Sequence, residues 1–227
     1  MDPYHFIRID RTAAADLPSA AAKYRTLRLE ALEESPHAFS STLEVESQFP
    51  EEVWISRLQK PRQETFACVF QGQDDGGSSE PEWVAQVTLR GPLVAAEFVL
   101  PPESGQPALL QPDEEEEKWQ MLSLYTAPEH RGKGLGPRLC RAAFEYLDSR
   151  RKDGAASQVQ VRIMVKPDNV ATLRLYGSLG FVETGRCTLE EALRANGDAE
   201  FIPREPLGPK YTTRAGIIMA MRLDGLP

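Results

Sequence analysis

The chain has 227 residues, of which 41% are hydrophobic and 26% are charged, enough apolar material for one substantial core. This predicts a single domain over residues 1–227. Its 26 basic and 34 acidic residues give a formal charge of −8, and its pI is about 5.1. A surface of that sign is poorly suited to neutralising phosphate backbones, so we expect no nucleic-acid partner.

The sequence also argues against a membrane or secreted protein. No apolar run approaches the roughly 20 residues that cross a bilayer, and the N-terminal residues lack the long apolar core of a secretory signal. Cys68, Cys140 and Cys187 are widely separated and show neither metal-ligand nor disulfide spacing. We therefore expect a cytoplasmic protein without membrane contact, with buried free thiols and without a bound metal.

The first half of the chain predicts short strands and helices. Apolar residues at helical spacing predict a helix that ends near Pro36, and Pro50 precedes a second, shorter helix. β-forming residues then predict two strands joined by a solvated loop. Breakers and acidic residues indicate a surface insertion around 92–118. The remaining predicted ranges are 6–9 for a first strand, 51–58 for the second helix, and 65–70 and 82–89 for the two later strands.

The second half alternates strands with helices. A strand over 120–126 leads through a glycine-rich turn into an amphipathic helix. An alternating strand over 159–165 is followed by a helix that begins at Asn169 and ends near Gly180. The last predicted elements are strands at 181–186 and 216–223, with a long loop around 188–215 that holds one helical turn at 189–194.

The turn after the 120–126 strand is the most informative part of the sequence. Its glycines remove Cβ atoms, so that successive backbone N–H groups can point at one ligand, and the start of the helix adds partial positive charge. Pro137 suits the first helical turn because an N–H there has no intrahelical partner. The turn therefore predicts a site for a phosphate or a diphosphate. Its residues are Arg131, Gly132, Lys133, Gly134, Leu135 and Gly136.

Two common nucleotide-binding patterns, the G-x-G-x-x-G fingerprint and the P-loop, do not fit this turn. Its R-G-x-G-x-G order instead resembles the coenzyme A diphosphate loop of the GNAT superfamily of acetyl-CoA-dependent N-acetyltransferases. The preceding segment 124–128 and the downstream Asn169, Tyr176 and Gly180-Phe181 strengthen this resemblance. The resemblance is close over residues 119–186 and looser over the rest of the chain.

The resemblance implies a mixed α/β fold: a twisted, mostly antiparallel sheet of six or seven strands, with a splayed parallel pair at its centre and about four flanking helices. In that family the pantetheine arm of acetyl-CoA lies in the gap of the splayed pair and bonds to backbone amides like an added strand. Leu124, Tyr125 and Thr126 would contact this arm, and residues 131–136 would hold the diphosphate. Asn169 would bond the arm and can also cap its helix.

The reaction that the resemblance implies is acetyl transfer from acetyl-CoA to a primary amine in a ternary complex, with Tyr176 protonating the departing thiolate. An acceptor amine with a pKa of about 10 must first lose a proton, which requires a base. N-terminal protein acetyltransferases of this family often carry a glutamate at the position of Met164. The base is therefore unassigned, with Glu116 or Glu117 as a possible substitute, and a small-molecule acceptor is favoured.

Two other functions stay open: N-acetylation of peptides or proteins, and a non-catalytic module that binds acyl-CoA and regulates a partner. In this family Phe39, Ser40 and Ser41 would line the acceptor pocket. Acceptor specificity would reside in loops, here residues 35–50, the surface insertion and the long loop. His130 is expected to be an exposed loop residue. We expect a monomer or a homodimer.

Overall fold

The computed structural model describes residues 2–39, 41–74, 77–78, 80–107 and 111–223, which form nine strands and eight α-helices. In chain order these elements are β1 (Tyr4–Arg8), α1 (Leu17–Glu34), α2 (Leu43–Glu46), α3 (Glu51–Gln59), β2 (Gln63–Phe70), β3 (Gln73–Asp74), β4 (Gly77–Ser78), β5 (Glu82–Leu93), α4 (Ala95–Phe98), β6 (Glu116–Thr126), α5 (Leu135–Lys152), β7 (Gln158–Val165), α6 (Val170–Ser178), β8 (Val182–Cys187), α7 (Leu189–Asn196), α8 (Pro209–Thr212) and β9 (Gly216–Arg222).

Seven strands form one mixed sheet in the order β1-β2-β5-β6-β7-β9-β8, and β3 and β4 form a separate two-stranded ladder. β1 is antiparallel to β2, and β9 is antiparallel to both of its neighbours, β7 and β8. β6 and β7 are parallel. The mixed α/β fold expected from the sequence, with its central parallel pair, is therefore confirmed.

The parallel ladder of β6 and β7 is short. It runs from Glu116 opposite Gln158 to Gln120 opposite Arg162, although β7 continues to Val165 and β6 continues further still. Beyond Arg162, β7 keeps its pairing with β9 on the other side. One edge of β7 thus loses its ladder at Arg162, as expected for a splayed pair.

The chain forms two compact units, and the single-domain organisation inferred from its length stays a prediction. The first unit comprises residues 1–89 and 123–143. Its core lies where α1 and α3 pack together, and the amphipathic spacing of both helices supplies the apolar side chains. The core residues are Ile9, Leu17, Ala21, Tyr24, Leu27, Ala31, Trp54, Leu58, Ala67, Trp83, Tyr125 and Ala127.

The second unit comprises residues 90–122 and 144–227. Val159, Val161 and Ile163 alternate along β7 and are buried, as a half-apolar strand requires. The opposite face of this part of the sheet is polar but also buried, because Lys118 and Arg162 are fully covered. The insertion around 92–118 thus contributes buried side chains as well as exposed ones.

Several element boundaries differ from the sequence-based expectations. Residues 94–100, whose composition is strand-like, contain the short helix α4, and β6 begins at Glu116, four residues before the predicted start. The long loop around 188–215 contains α7, of eight residues, where one helical turn was expected. None of the described helices is both long and apolar enough to cross a membrane.

Candidate functional site

The glycine-rich turn lies between β6 and α5 in the first unit. Gly132 and Gly134 have φ angles of +74° and +71°, in the left-handed region that residues with a side chain adopt only at a cost. A Cβ atom on either glycine would meet nothing within 4 Å. Glycine is therefore needed here for its backbone conformation, and the space beside the turn is open.

The turn also presents backbone donors without acceptors. The first backbone bond that leads into α5 runs from the N–H of Arg138 to the carbonyl of Gly134, at 3.3 Å. Among the residues that the structure describes, no acceptor is recorded for the N–H groups of residues 132–136. Unsatisfied donors at a helix start attract anions. The turn therefore has the features of an anion site, and its assignment to the diphosphate of coenzyme A stays a prediction.

Two cationic side chains flank these donors. Arg131 turns back toward β6, where its Nε donates to the carbonyl of Thr126 at 3.0 Å and its guanidinium lies 5.6 Å from the ring centre of Tyr125. Lys133 donates from Nζ to the hydroxyl of Tyr4 at 3.1 Å and is exposed. Both keep positive charge beside the turn, where it favours a bound anion.

The end of β6 carries the residues expected to contact the pantetheine arm. Leu124 and Thr126 are half-buried, and Tyr125 is buried. Tyr125 donates from its hydroxyl to Glu30 at 2.9 Å, and burial together with this carboxylate raises the pKa of Tyr125. Just before them, Ser123 has a φ angle of +58°, which is rare for a residue with a side chain and marks a local irregularity in β6.

Asn169 and Tyr176 lie at opposite ends of α6 in the second unit. The Oδ1 atom of Asn169 accepts the N–H of Thr172 at 3.3 Å, so the predicted helix cap is present. Tyr176 is 3% exposed and meets Phe181 edge-on, with ring centres 5.2 Å apart. The cofactor contact of Asn169 and the acid role of Tyr176 stay predictions.

The two carboxylates suggested as the base are held in ion pairs. Glu116 is buried and accepts a hydrogen bond from Arg222 at 3.1 Å. Glu117 accepts from the indole N–H of Trp119 at 3.0 Å and from Arg150 at 2.5 Å. Both carboxylates are thus paired with an arginine. The base for the acceptor stays unassigned.

The residues proposed for the acceptor pocket are described in part. Phe39 lies under the guanidinium of Arg28 at 4.6 Å, and the Ser41 hydroxyl is buried with no hydrogen-bond partner among the described residues. Ser40 lies outside the described residues. The exposed position expected for His130 is wrong: it is half-buried, and its Nδ1 lies 3.0 Å from the Tyr4 hydroxyl.

Sequence reasoning missed two features of this region. Glu30 lies on α1, ninety-five positions before its partner Tyr125, and no local pattern signals such a contact. The positive φ angle of Ser123 could not be predicted either, because a serine within a strand pattern gives no sign of an unusual backbone conformation. The three cysteines are free and buried, as expected, and burial raises the pKa of the Cys140 thiol to about 12. They are therefore poor nucleophiles.

Comparison with known proteins defines the class. No curated protein matches the chain. Among solved structures, Arabidopsis thaliana NAA60 in complex with acetyl-CoA is 15% identical, with 98% of this chain and 99% of that chain covered and a TM-score of 0.56. An acetyltransferase of the GNAT family from Streptococcus pneumoniae is also 15% identical, with 96% and 98% covered and a TM-score of 0.54. At this identity the structures establish the fold.

Part of the chain also matches a protein-family model. Residues 95–181 match the model of the Acetyltransferase (GNAT) family. The resemblance to this family that the turn and the Asn169-to-Phe181 segment indicated is therefore confirmed over that part of the chain.

Proposed function

We propose that this protein transfers the acetyl group of acetyl-CoA to the primary amine of a small molecule by direct attack in a ternary complex. The observation that carries the proposal is the open turn over residues 132–136, whose N–H groups lack acceptors and whose glycines have left-handed φ angles. Such a turn suits a diphosphate. The match of residues 95–181 to an acetyltransferase family supports acetyl-CoA as the cosubstrate.

When bound, acetyl-CoA supplies a thioester whose carbonyl carbon an amine can attack. The chain's own residues bind and orient it: the turn holds the diphosphate, and Leu124, Tyr125 and Thr126 contact the arm. Asn169 bonds the same arm. Holding both substrates in one geometry supplies much of the acceleration. Tyr176 donates its hydroxyl proton to the departing sulfur, which makes the thiol a better leaving group than the thiolate.

The acceptor class rests on a departure from the pattern of the protein acetyltransferases. Met164 occupies the position where N-terminal protein acetyltransferases of this family often carry a glutamate, and a thioether cannot accept a proton at neutral pH. Glu116 and Glu117 are held by arginines. The proposed acceptor is a small amine that gives its proton to an ordered water or is already neutral when it binds.

The cofactor part of the proposal is tested by titrating coenzyme A into the wild-type protein and the Gly132→Ala variant in a calorimeter. The variant strains the turn and is expected to weaken binding about tenfold, since the left-handed conformation costs about 1–2 kcal/mol for a residue with a Cβ. Gly208→Ala is the matched control, because Gly208 has a φ angle of −72° and open space beside it. No uptake at millimolar coenzyme A would refute the proposal.

The transfer itself is tested by following free thiol from acetyl-CoA with a panel of small amines and peptides. Release above the hydrolysis background with small amines supports the proposal. Release with peptides, and a mass gain of about 42 Da on them, would instead support a protein acetyltransferase, because discrimination lies in the acceptor contacts. Binding of coenzyme A without turnover on any acceptor would indicate a regulatory binding module.

A further inference from the structure

The second unit contains a cavity of about 650 Å³ that the roles assigned above do not use. One wall is formed by Ala96, Glu97 and residues 99–101, from α4 and the segment after it. The other is formed by side chains of α7 and of the segment that follows it as far as Arg214. Ala195 and Leu100 contribute apolar surface. The charged lining residues are Arg90, Glu97, Glu190, Glu191, Arg194 and Arg214.

The charges that line the cavity balance one another. Arg194 lies 2.9 Å from Glu190, and Arg214 lies 2.6 Å from Glu191. The third pair is looser, with Arg90 3.9 Å from Glu97. Three cations thus face three anions, and the lining by itself has no net charge. Charged groups outside the lining therefore decide the balance, among them Glu103, whose charge acts on Arg214, and Arg162, described next.

A fully buried cation lies behind them. Arg162 is 0% exposed, its Nε donates to the side-chain oxygen of Gln120 at 2.8 Å, and its Nη1 donates to the carbonyl of Phe98 at 2.5 Å. Its Nη2 has no hydrogen-bond partner among the residues that the structure describes. Within the described part of the chain, no carboxylate lies within 4 Å of this guanidinium. A buried charge without a counter-charge is costly, which makes it unusual in a stable protein.

Arg162 is close to the cavity wall. Its guanidinium lies 3.9 Å from the ring centre of Phe98, whose chain neighbours Glu97 and Val99 both line the cavity. Burial, and to a smaller extent the charge of the lining residue Arg90, lower the pKa of Arg162 to about 9. Arg90 and Arg162 are therefore two cations at this wall. Of the two, Arg90 has a carboxylate beside it, that of Glu97.

The cavity also lies toward the end of the sheet where the reaction is expected. The long segment begins where β8 ends, at Cys187, and it ends where β9 begins, at Gly216. Cys187 and Gly216 are paired with each other. Val165 is paired with Ile217 on that same strand, so β7 ends on the same side. The segment 188–215, which lines the cavity, therefore begins and ends at the edge of the sheet where β7 ends. This edge lies beyond Gln120 and Arg162, the last residues that β6 and β7 pair.

We propose that this cavity holds the carboxylate of the acceptor, so that the acceptor is a small zwitterionic amine of the α-amino acid type. This inference rests on the proposed acetyl transfer to a small amine. The single uncompensated positive charge matches one carboxylate, whereas a phosphate ester, with a charge near −2, would leave one negative charge unbalanced. The paired lining charges add donors and acceptors that suit a zwitterion.

The test compares α-amino acids with their carboxamides, which differ only in the negative charge. Binding is measured by calorimetry on protein saturated with coenzyme A, and each pair is also tested for thiol release from acetyl-CoA. At least one amino acid is expected to bind ten times or more tightly than its amide. Arg162→Lys, which keeps the charge, is expected to retain this preference, and Arg162→Met to reduce it to less than twofold.

Arg151→Met is the matched control, because Arg151 lies on α5 of the same unit and pairs with Asp148 at 2.8 Å. It is expected to leave the preference unchanged. If Arg162→Met does not fold, the wild-type acid and amide pairs and Arg162→Lys decide the question. Equal binding of acids and amides, or binding of neither, overturns the inference, as does an unchanged preference in folded Arg162→Met.

The two proposals fail in different ways. Amino acids that bind with the expected preference but release no thiol would contradict acetyl transfer while leaving the ligand class of the cavity supported. Thiol release that depends on amines without a carboxylate would support acetyl transfer and overturn the assignment of the cavity.

Discussion

Glu46 is a fully buried carboxylate in the first unit, and two arginines hold it. Arg28 donates to it at 2.7 Å and Arg57 at 2.6 Å. Burial alone would raise the pKa of Glu46, but the hydrogen bonds and charges of the two arginines outweigh it and hold this pKa below its ordinary value of 4.5. The ionised form of Glu46 therefore stabilises the folded chain at neutral pH.

The variant Glu46→Gln is expected to destabilise the protein by about 3–5 kcal/mol at pH 7, because it leaves two arginines without their shared counter-charge. The depressed pKa gives the sign of the pH dependence. The stability that Glu46 contributes is present above pH 4.5 and is lost as the pH falls through the lower pKa of the folded state.

Urea unfolding of wild type and variant at a series of pH values measures this difference, which should shrink as the solution becomes more acidic. Glu44→Gln, on the same short helix but exposed, is the control and should match the wild type. A difference that does not change with pH would contradict the role assigned to the Glu46 charge.

Tyr176 is the proposed acid that protonates the departing thiolate. Tyr176→Phe keeps the buried ring against Phe181 and removes only the hydroxyl. Since a positioned acid contributes roughly 10²–10⁴-fold, kcat is expected to fall by about a hundredfold or more while the affinity for coenzyme A stays within threefold. Stopped-flow thiol release and calorimetry separate the two quantities. Tyr146→Phe, on α5, is the control, and an unchanged kcat in Tyr176→Phe would remove the proposed acid.

At the scale of elements, the insertion between β5 and β6 lies directly on β8. A Cβ atom on Gly185 would overlap the carbonyl oxygen of Ser104 and come within 3.0 Å of the N–H of Gln106. Neither obstacle is a flexible side chain. The absence of a side chain at this one position therefore allows the insertion to approach the strand.

Gly185→Ala is expected to destabilise the protein by about 1–3 kcal/mol, because backbone must shift to make room. Gly177→Ala is the matched control: Gly177 is exposed in α6, has open space around it, and should be neutral or slightly stabilised by alanine. Thermal unfolding of both variants makes the comparison. Equal stability of Gly185→Ala and wild type would show that the two segments are not in close contact.

The sequence predicted the elements whose signals are local. The turn over residues 131–136 and the helix that begins after Asn169 are read from glycine, proline and capping patterns, and both are present. The helix α7 was underestimated, although Thr188 and Glu191 form a capping box that the sequence already displays. This capping box is a local signal for the start of a helix at residue 189.

Other features depend on residues far apart in the chain. The helix α4 replaces a strand-like pattern because Phe98 is buried and its carbonyl is bound by Arg162, sixty-four positions later. The covered polar side of the sheet, with Lys118 and Arg162, is formed in the same way. Single-sequence patterns carry no information about such pairings, so the uncompensated guanidinium beside the cavity could not be predicted.

At the scale of the whole molecule, ligand binding should appear as stability. Coenzyme A that binds the folded chain alone stabilises it by about 2.7 kcal/mol at a concentration one hundred times its dissociation constant. For a chain of this size that corresponds to a rise in Tm of about 5–10 °C. Thermal unfolding with increasing coenzyme A measures it, with Gly132→Ala as the weakened comparison. A constant Tm up to millimolar coenzyme A would contradict the cofactor assignment.

The insertion between β5 and β6 has a consequence for how such a chain can change in length. Its backbone and side chains supply part of the hydrogen bonding of two buried cations, since Lys118 bonds Asp113 and the Gln111 carbonyl, each at 2.9 Å, and Arg162 bonds the Phe98 carbonyl. Shortening the insertion to a tight hairpin would remove these hydrogen bonds and leave the charges of Lys118 and Arg162 buried without them. Deletion is therefore tolerable only if apolar residues replace Lys118 and Arg162 at the same time, so loop length and strand composition must evolve together.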